Sequence, residues 1–180
     1  MRVDVSGLVE GVRYLLSPNW DERPPGTRIE LIVVHAISLP PGEFGGRAID
    51  QLFLNTLDTA AHPYYATLVG LRVSAHFVIR RTGELTQFVP CVRRAWHAGI
   101  SQWRGRVACN DFSVGIELEG CDDQPFEPVQ YSLLAELTEA LEAAYPIADI
   151  VGHSDIAPGR KTDPGPHFDW ALYRGLIART

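Results

Sequence analysis

The sequence predicts an α/β fold, a single domain in which helices flank a mixed β-sheet. Three observations lead there. The chain has 180 residues, 46% of them apolar, enough to bury one core and too few for two. Apolar runs of strand length are interspersed with segments of helical periodicity. Two of the strand-like runs are joined by a short turn, so an antiparallel pair must enter the sheet.

The elements follow in order. Residues 1–27 are rich in Pro, Gly, Asp and Asn and read as an irregular arm over the surface, which leaves 28–180 as the domain. Residues 28–34 alternate and then turn wholly apolar, as a strand does when it enters the core and is buried on both faces. The Pro/Gly-rich stretch 39–46 is a loop, and a short helix is expected over 48–54. The segment 55–67 has no readable period. Residues 72–79 and 85–89 form a hairpin around 81–84, with Gly83 supplying the positive φ of the turn. Residues 112–118 are another strand. Over 128–145, Val129, Leu133, Leu137, Leu141 and Ala144 recur at helical spacing, Leu134 and Ala140 broaden the stripe, and Pro128 suits a first helical turn. A short strand at 147–151 and a closing helix at 168–178 complete the set.

Composition narrows the function. The net charge is −6, which argues against a general nucleic-acid or anionic-membrane binder. An anionic ligand would have to be met by a local group of Arg and Lys. No apolar run has signal-peptide length at the N-terminus or approaches that of a membrane helix, so a cytoplasmic protein is expected. Cys91, Cys109 and Cys121 are odd in number and lack a C-x-x-C spacing, and they read as free thiols in a reducing compartment.

The chemistry gathers at strand ends. His35 follows a buried strand and precedes a Pro/Gly loop, where a side chain emerges into a cleft from a rigid base. His153 follows the short strand at 147–151 in the same way and opens the next loop. Asp163 comes ten residues later, in a stretch stiffened by Pro164, Pro166, Gly159 and Gly165. Two imidazoles and a carboxylate make a hydrolytic zinc site with a fourth position open to water. Spacing alone leaves open two core histidines and a turn-capping aspartate. Glu117 and Glu119 lie two apart on one strand and face the same side. Glu117 is the deeper and the better candidate for a base, and Glu119 suits a solvated or salt-bridged role. Lys161 can reach the same cleft and stabilise an oxyanion.

These residues fall within a longer series of matches. Val34-His35, the stretch 38–46, His62-Pro63-Tyr64-Tyr65, 72–76, 94–99, 109–113, 115–120 and 161–165 together resemble the bacterial 1,6-anhydro-N-acetylmuramyl-L-alanine amidases of the amidase-2 family. That family also includes phage T7-lysozyme-like amidases and animal peptidoglycan recognition proteins, so the resemblance implies their fold. It implies that His35, His153 and Asp163 hold one Zn2+ per chain, that Glu117 is the catalytic acid/base and that Lys161 stabilises the transition state. It further implies a small muropeptide substrate cut at the amide between the muramic sugar and L-alanine, during cytoplasmic recycling of wall fragments; a monomer is the default expectation. Clearing such fragments also lowers a signal that induces β-lactamase in some bacteria. Arg72 and Trp96 are the candidate substrate-binding residues, for a carboxylate and for the sugar or peptide face. His76 and His97 read as supporting or structural, and His62 and His167 as structural. Two positions depart from the pattern: Ala36 stands where Asn is usual, and Ala108 where several relatives have Arg. The competing readings are an amidase of intact, polymeric wall and a binding module without activity.

Overall fold

The strand that carries His35 begins and ends later than its composition suggests. In the computed structural model, which describes residues 1–178, the third strand covers Leu31–Ile37. Its neighbour sets that length: Leu31 to Ile37 pair in parallel register with Ser113 to Glu119, residue for residue. His35 therefore lies within the strand, and its register partner is Glu117.

Strands β1 (Arg13–Tyr14), β2 (Trp20–Glu22), β3 (Leu31–Ile37), β4 (Phe77–Ile79), β5 (Leu85–Gln87) and β6 (Arg93–Ala95) come first. After them come β7 (Gln102–Trp103), β8 (Arg106–Val107), β9 (Ser113–Glu119) and β10 (Asp149–Gly152). The helices are α1 (Ala48–Phe53), α2 (Pro63–Ala66), α3 (Pro128–Ala144), α4 (His153–Ile156) and α5 (Trp170–Ile177). The main sheet has the order β1-β5-β4-β9-β3-β10 and is mixed as expected, since β4, β9, β3 and β10 run parallel while β5 is antiparallel to β4. Gly83 turns that hairpin with a φ of +86°.

Alternation along β3 and β9 divides the two faces of the sheet. Ile32, Val34, Val114, Ile116 and Leu118 pack with Phe77 and Ile79 under α3 and α5, around Leu134, Leu137 and Tyr173. The opposite face carries His35, Ser113, Gly115 and Glu117 between two smaller clusters. One joins Val78 and Phe88 to Ile49, Leu52 and Phe53 of α1. The other joins Leu31 and Val33 to Ala98, Phe112, Val151 and Ile156. Polar groups thus occupy one strip of an otherwise apolar sheet.

Several expectations need correction. The arm at 1–27 is not merely irregular: β1 adds to the sheet edge beside β5, and β2 pairs with β6. Strands of two and three residues are too short to leave a period in the sequence, and side chains fasten the arm instead. Ser17 Oγ donates to Phe53 O, Asn19 Nδ2 to Val73 O, and the Arg23 guanidinium to the carbonyls of Cys91, Asn110, Asp111 and Ser113. The strand expected over 72–79 starts only at Phe77, so Arg72 lies in the preceding loop. The closing strand is Asp149–Gly152 instead of 147–151. Of the expected domain 28–180, residues 179 and 180 lie outside the described residues. On α3 the buried face includes Gln130 and Thr138, whereas Val129 is 41% exposed and Ala144 lies outside.

A buried ion network joins this frame to the Pro/Gly loop at 39–46. Arg80 bonds Asp50 Oδ1 at 2.5 Å and Glu119 Oε1 at 3.1 Å, and all three side chains are nearly inaccessible. Glu119 also accepts the Gly45 N–H at 2.7 Å and the Arg81 N–H at 3.2 Å. Arg13, at 3.5 Å from Asp50, compensates only part of that charge. Removing the guanidinium strands two buried carboxylates, so Arg80→Leu is expected to cost about 3–5 kcal/mol. Urea unfolding measures it, and a loss below about 1 kcal/mol, the range of an exposed pair, would refute the network's role.

Candidate metal centre

Adjacent parallel strands bring the polar residues together. His35 and Glu117 emerge side by side from β3 and β9. On the other flank of β3, β10 ends at Gly152 and passes directly into α4, so His153 is the first residue of a short helix and does not open a loop. Asp155 caps this turn, its Oδ2 accepting the Gly152 N–H at 2.8 Å. The following loop folds back until the Asp163 carbonyl accepts the Ser154 N–H at 2.9 Å, which fixes the Asp163 side chain against His153.

Three ligand atoms then converge. His35 Nδ1 and His153 Nδ1 are 2.9 Å apart, and Asp163 Oδ2 is 3.2 Å from the first and 3.0 Å from the second. His153 Nε2 lies 3.2 Å from the Ala98 carbonyl, which can only accept, so Nε2 carries a proton and the matching neutral tautomer presents a bare Nδ1. Burial lowers the His35 pKa to about 4, the Asp163 carboxylate opposing that, so this ring is neutral. Two imidazole nitrogens and a carboxylate oxygen facing one point form a donor set suited to a cation. The three residues can hold a metal ion.

Glu117 overlooks the same point. Its Oε2 is buried and has no hydrogen-bond partner, the one such side-chain atom among the described residues. Burial, and then the charge of Asp163, push its carboxyl well above the usual carboxylate range, and Lys161 pulls the other way. An orphaned acid of this kind marks a functional site more often than a structural one. Glu119, expected to be the shallower of the pair, is in fact only 2% exposed and belongs to the Arg80 network, so the two carboxylates have separate tasks.

The cleft has a volume of about 850 Å³ and takes in His153, Asp163, Glu117 and Lys161 together with Arg72 and Trp96. Arg72 is exposed, and its guanidinium reaches only its neighbour's carbonyl, Leu71 O, at 3.5 Å among the described residues. Trp96 is half-buried in the wall. Of the two departures, Ala36 lines this cleft, whereas Ala108 lines a neighbouring groove with Ile100, Val107 and Pro158. All three cysteines are free. Among the described residues no helix is long and apolar enough to cross a membrane.

The remaining histidines divide cleanly. His62 caps α2 through the Tyr64 N–H. His76 accepts the Gly115 N–H and bonds Arg93 O, a satisfied structural residue. His167 is exposed. His97 is in contact with the site, its Nδ1 2.9 Å from His35 Nε2. The residues that sequence reasoning passed over are those that bond to this segment, Asn110 and Ser113, and no spacing signals them.

Comparison with known proteins places the chain in a family. The profile of the N-acetylmuramoyl-L-alanine amidase family (Amidase_2) matches residues 25–166. The chain is 55% identical over 175 residues to the 1,6-anhydro-N-acetylmuramyl-L-alanine amidase AmpD of Escherichia coli K12, covering 96% of each. It superposes on a crystal structure of a selenomethionine AmpD derivative with a TM-score of 0.95 at 55% identity, covering 98% of this chain and 99% of that one. A complex of the E. coli amidase AmiD with anhydro-N-acetylmuramic acid-L-Ala-D-γ-Glu-L-Lys gives a TM-score of 0.61 at 33% identity, covering 86% of this chain and 60% of that one.

Proposed function

Because the chain belongs to the N-acetylmuramoyl-L-alanine amidase family, we propose that it hydrolyses the amide between 1,6-anhydro-N-acetylmuramic acid and the L-alanine of a stem peptide, with one zinc ion held by His35, His153 and Asp163. The observation that carries the reading is the convergence of those three ligand atoms beneath the unpartnered Oε2 of Glu117. The donor set, two imidazole nitrogens and one carboxylate oxygen, suits zinc with a position left open. When bound, zinc polarises the scissile carbonyl and makes water a stronger acid.

The chain's own groups do the rest. Glu117 takes a proton from the attacking water at the carboxylate oxygen that has no other partner, and the water oxygen forms its bond to the carbonyl carbon. The Lys161 ammonium, at the rim of the same cleft, faces the negative charge that develops on the carbonyl oxygen. As the carbon–nitrogen bond breaks, Glu117 passes its proton to the alanine nitrogen and is ready for another turn. Arg72, whose guanidinium bonds only Leu71 O among the described residues, meets a stem-peptide carboxylate, and Trp96 offers an apolar face to the sugar or peptide. One chain supplies the whole cleft, which supports a monomer as the active unit. The free thiols and a substrate of recycled wall fragments support a cytoplasmic enzyme.

The test is mass spectrometry of 1,6-anhydro-N-acetylmuramyl-tripeptide incubated with the protein, before and after zinc is stripped by a chelator. Zinc-dependent release of free tripeptide is expected, with polymeric wall cut far more slowly. Release that survives complete metal removal would defeat the zinc reading. Faster cleavage of polymeric wall would move the substrate outside the anhydro class.

A further inference from the structure

We propose that the dipeptide His97-Ala98 is the positioning device for both imidazoles of the centre, the His97 ring setting His35 and the Ala98 carbonyl setting His153. This rests on the zinc reading of that site. The two contacts are short: His35 Nε2 to His97 Nδ1 at 2.9 Å, and His153 Nε2 to Ala98 O at 3.2 Å.

The direction of each bond can be assigned. Ser113 Oγ lies 2.6 Å from Cys109 O, which only accepts, so the serine hydrogen is spent there and its oxygen accepts in turn. His97 Nε2, 3.1 Å from Ser113 Oγ, must then carry its proton. With that proton on Nε2, the neutral tautomer of His97 leaves Nδ1 bare to take the Nε2–H of His35. The chain His35, His97, Ser113, Cys109 O therefore has one consistent set of donors. It leaves His35 with a lone pair on Nδ1, the atom that faces His153 and Asp163. The Ala98 carbonyl imposes the same tautomer on His153.

The dipeptide is itself fixed. Asn110 Oδ1 accepts both of its backbone N–H groups, at 3.2 Å from His97 N and 2.8 Å from Ala98 N. The His97 ring lies directly on the backbone of β9 at Gly115, where a Cβ would come within 2.6 Å of Nδ1. Glycine in mid-strand is otherwise unfavourable, and here it makes room for the ring. Metal-binding histidines commonly hand their second N–H to a carboxylate. Here both partners are neutral, so Asp163 contributes the only formal negative charge among these groups.

Amide isosteres separate positioning from mere packing. The Asn amide overlies imidazole Nδ1 and the Gln amide overlies Nε2, so His97→Asn keeps the acceptor for His35 and His97→Gln loses it. Two readouts apply: zinc affinity by chelator competition, and long-range 15N–1H spectra of the metal-free protein, which report the protonated nitrogen of each ring. Wild type is expected to show Nε2–H on both His35 and His153. His97→Gln should leave His35 a tautomer mixture, keep His153 unchanged and weaken zinc binding by about 10- to 100-fold. His97→Asn should restore most of both. A His97→Gln protein with wild-type zinc affinity and a pure Nε2–H His35 would overturn the proposal while leaving the zinc site standing. Failure of the wild type to bind zinc would overturn both together.

Discussion

Glu117→Gln is expected to lower turnover by about 10²- to 10⁴-fold, the range for loss of a positioned general base. Its zinc content should stay at the wild-type level. The substitution keeps the shape of the side chain and removes only its ability to take a proton. The carboxylate is not among the three converging ligands, so the metal should stay. A metal-replete variant with normal turnover would remove Glu117 from the chemistry. The same change has a second, opposite effect. Burial, then Asp163, raise the carboxyl of Glu117 in the fold, so the native state holds its proton more tightly than the unfolded chain does. Stability associated with this group is complete below the ordinary pKa of a glutamate and falls as pH rises through the elevated value. At neutral pH the metal-free wild type therefore bears the cost of either burying this charge or taking up a proton on folding, a cost that Gln does not have. Metal-free Glu117→Gln should melt above metal-free wild type at neutral pH, and the gap should close at acid pH.

How far the sequence could be read follows from the same strands. On β3 and β9 the period of two is plain, because Ile32, Val34, Ile116 and Leu118 fill one face while His35 and Glu117 interrupt the other. That interruption is what made the site visible. The ends of β3 were misjudged because pairing with Ser113–Glu119, a distant partner, decides them. The face of α3 was misjudged for another reason: Gln130 and Thr138 are buried as bonded groups. Gln130 Nε2 donates to the carbonyls of Ile79 and Glu119, and Thr138 Oγ1 pairs with the Tyr173 hydroxyl at 2.6 Å. A hydrophobic count treats both as surface residues. Val129, read as core, instead lies against the hairpin turn at Gly83.

The site shows a similar division. Its three converging residues are separated by 118 and 10 positions along the chain, and they meet because β9, β3 and β10 are neighbours. Strand order is not written in local periodicity, which is why the residues alone left two core histidines and a capping aspartate open. The family resemblance supplied the missing order. It could not supply the orientation of the rings, which depends on a backbone carbonyl at Ala98 and a serine hydroxyl at Ser113. Neither has a signature of residue type.

Removing the metal should expose the conflict built into this centre. In the Nε2–H tautomers of His35 and His153, the Nδ1 lone pairs face each other and Asp163 Oδ2 within about 3 Å, three acceptors with no proton between them. A divalent cation resolves the conflict, so zinc should stabilise the wild type by mass action, by about 4 kcal/mol at a thousandfold excess over Kd. That corresponds to a rise in Tm of about 8–16 °C for a chain of this size. Asp163→Asn should invert the order. Its amide can donate to a histidine nitrogen, turning a repulsion into a hydrogen bond worth about 0.5–1.5 kcal/mol, so the metal-free variant should melt at or above metal-free wild type. Zinc should then raise its Tm little, and amidase activity should be lost with the metal. Thermal scans of both proteins, with chelator and with zinc, decide the matter. A metal-free Asp163→Asn protein melting well below metal-free wild type would show that the carboxylate is an ordinary structural acceptor. A variant stabilised by zinc as strongly as wild type would remove Asp163 from the ligand set. The expected pattern is a site that keeps its acceptors at a cost to the empty fold, because only that arrangement binds the cation.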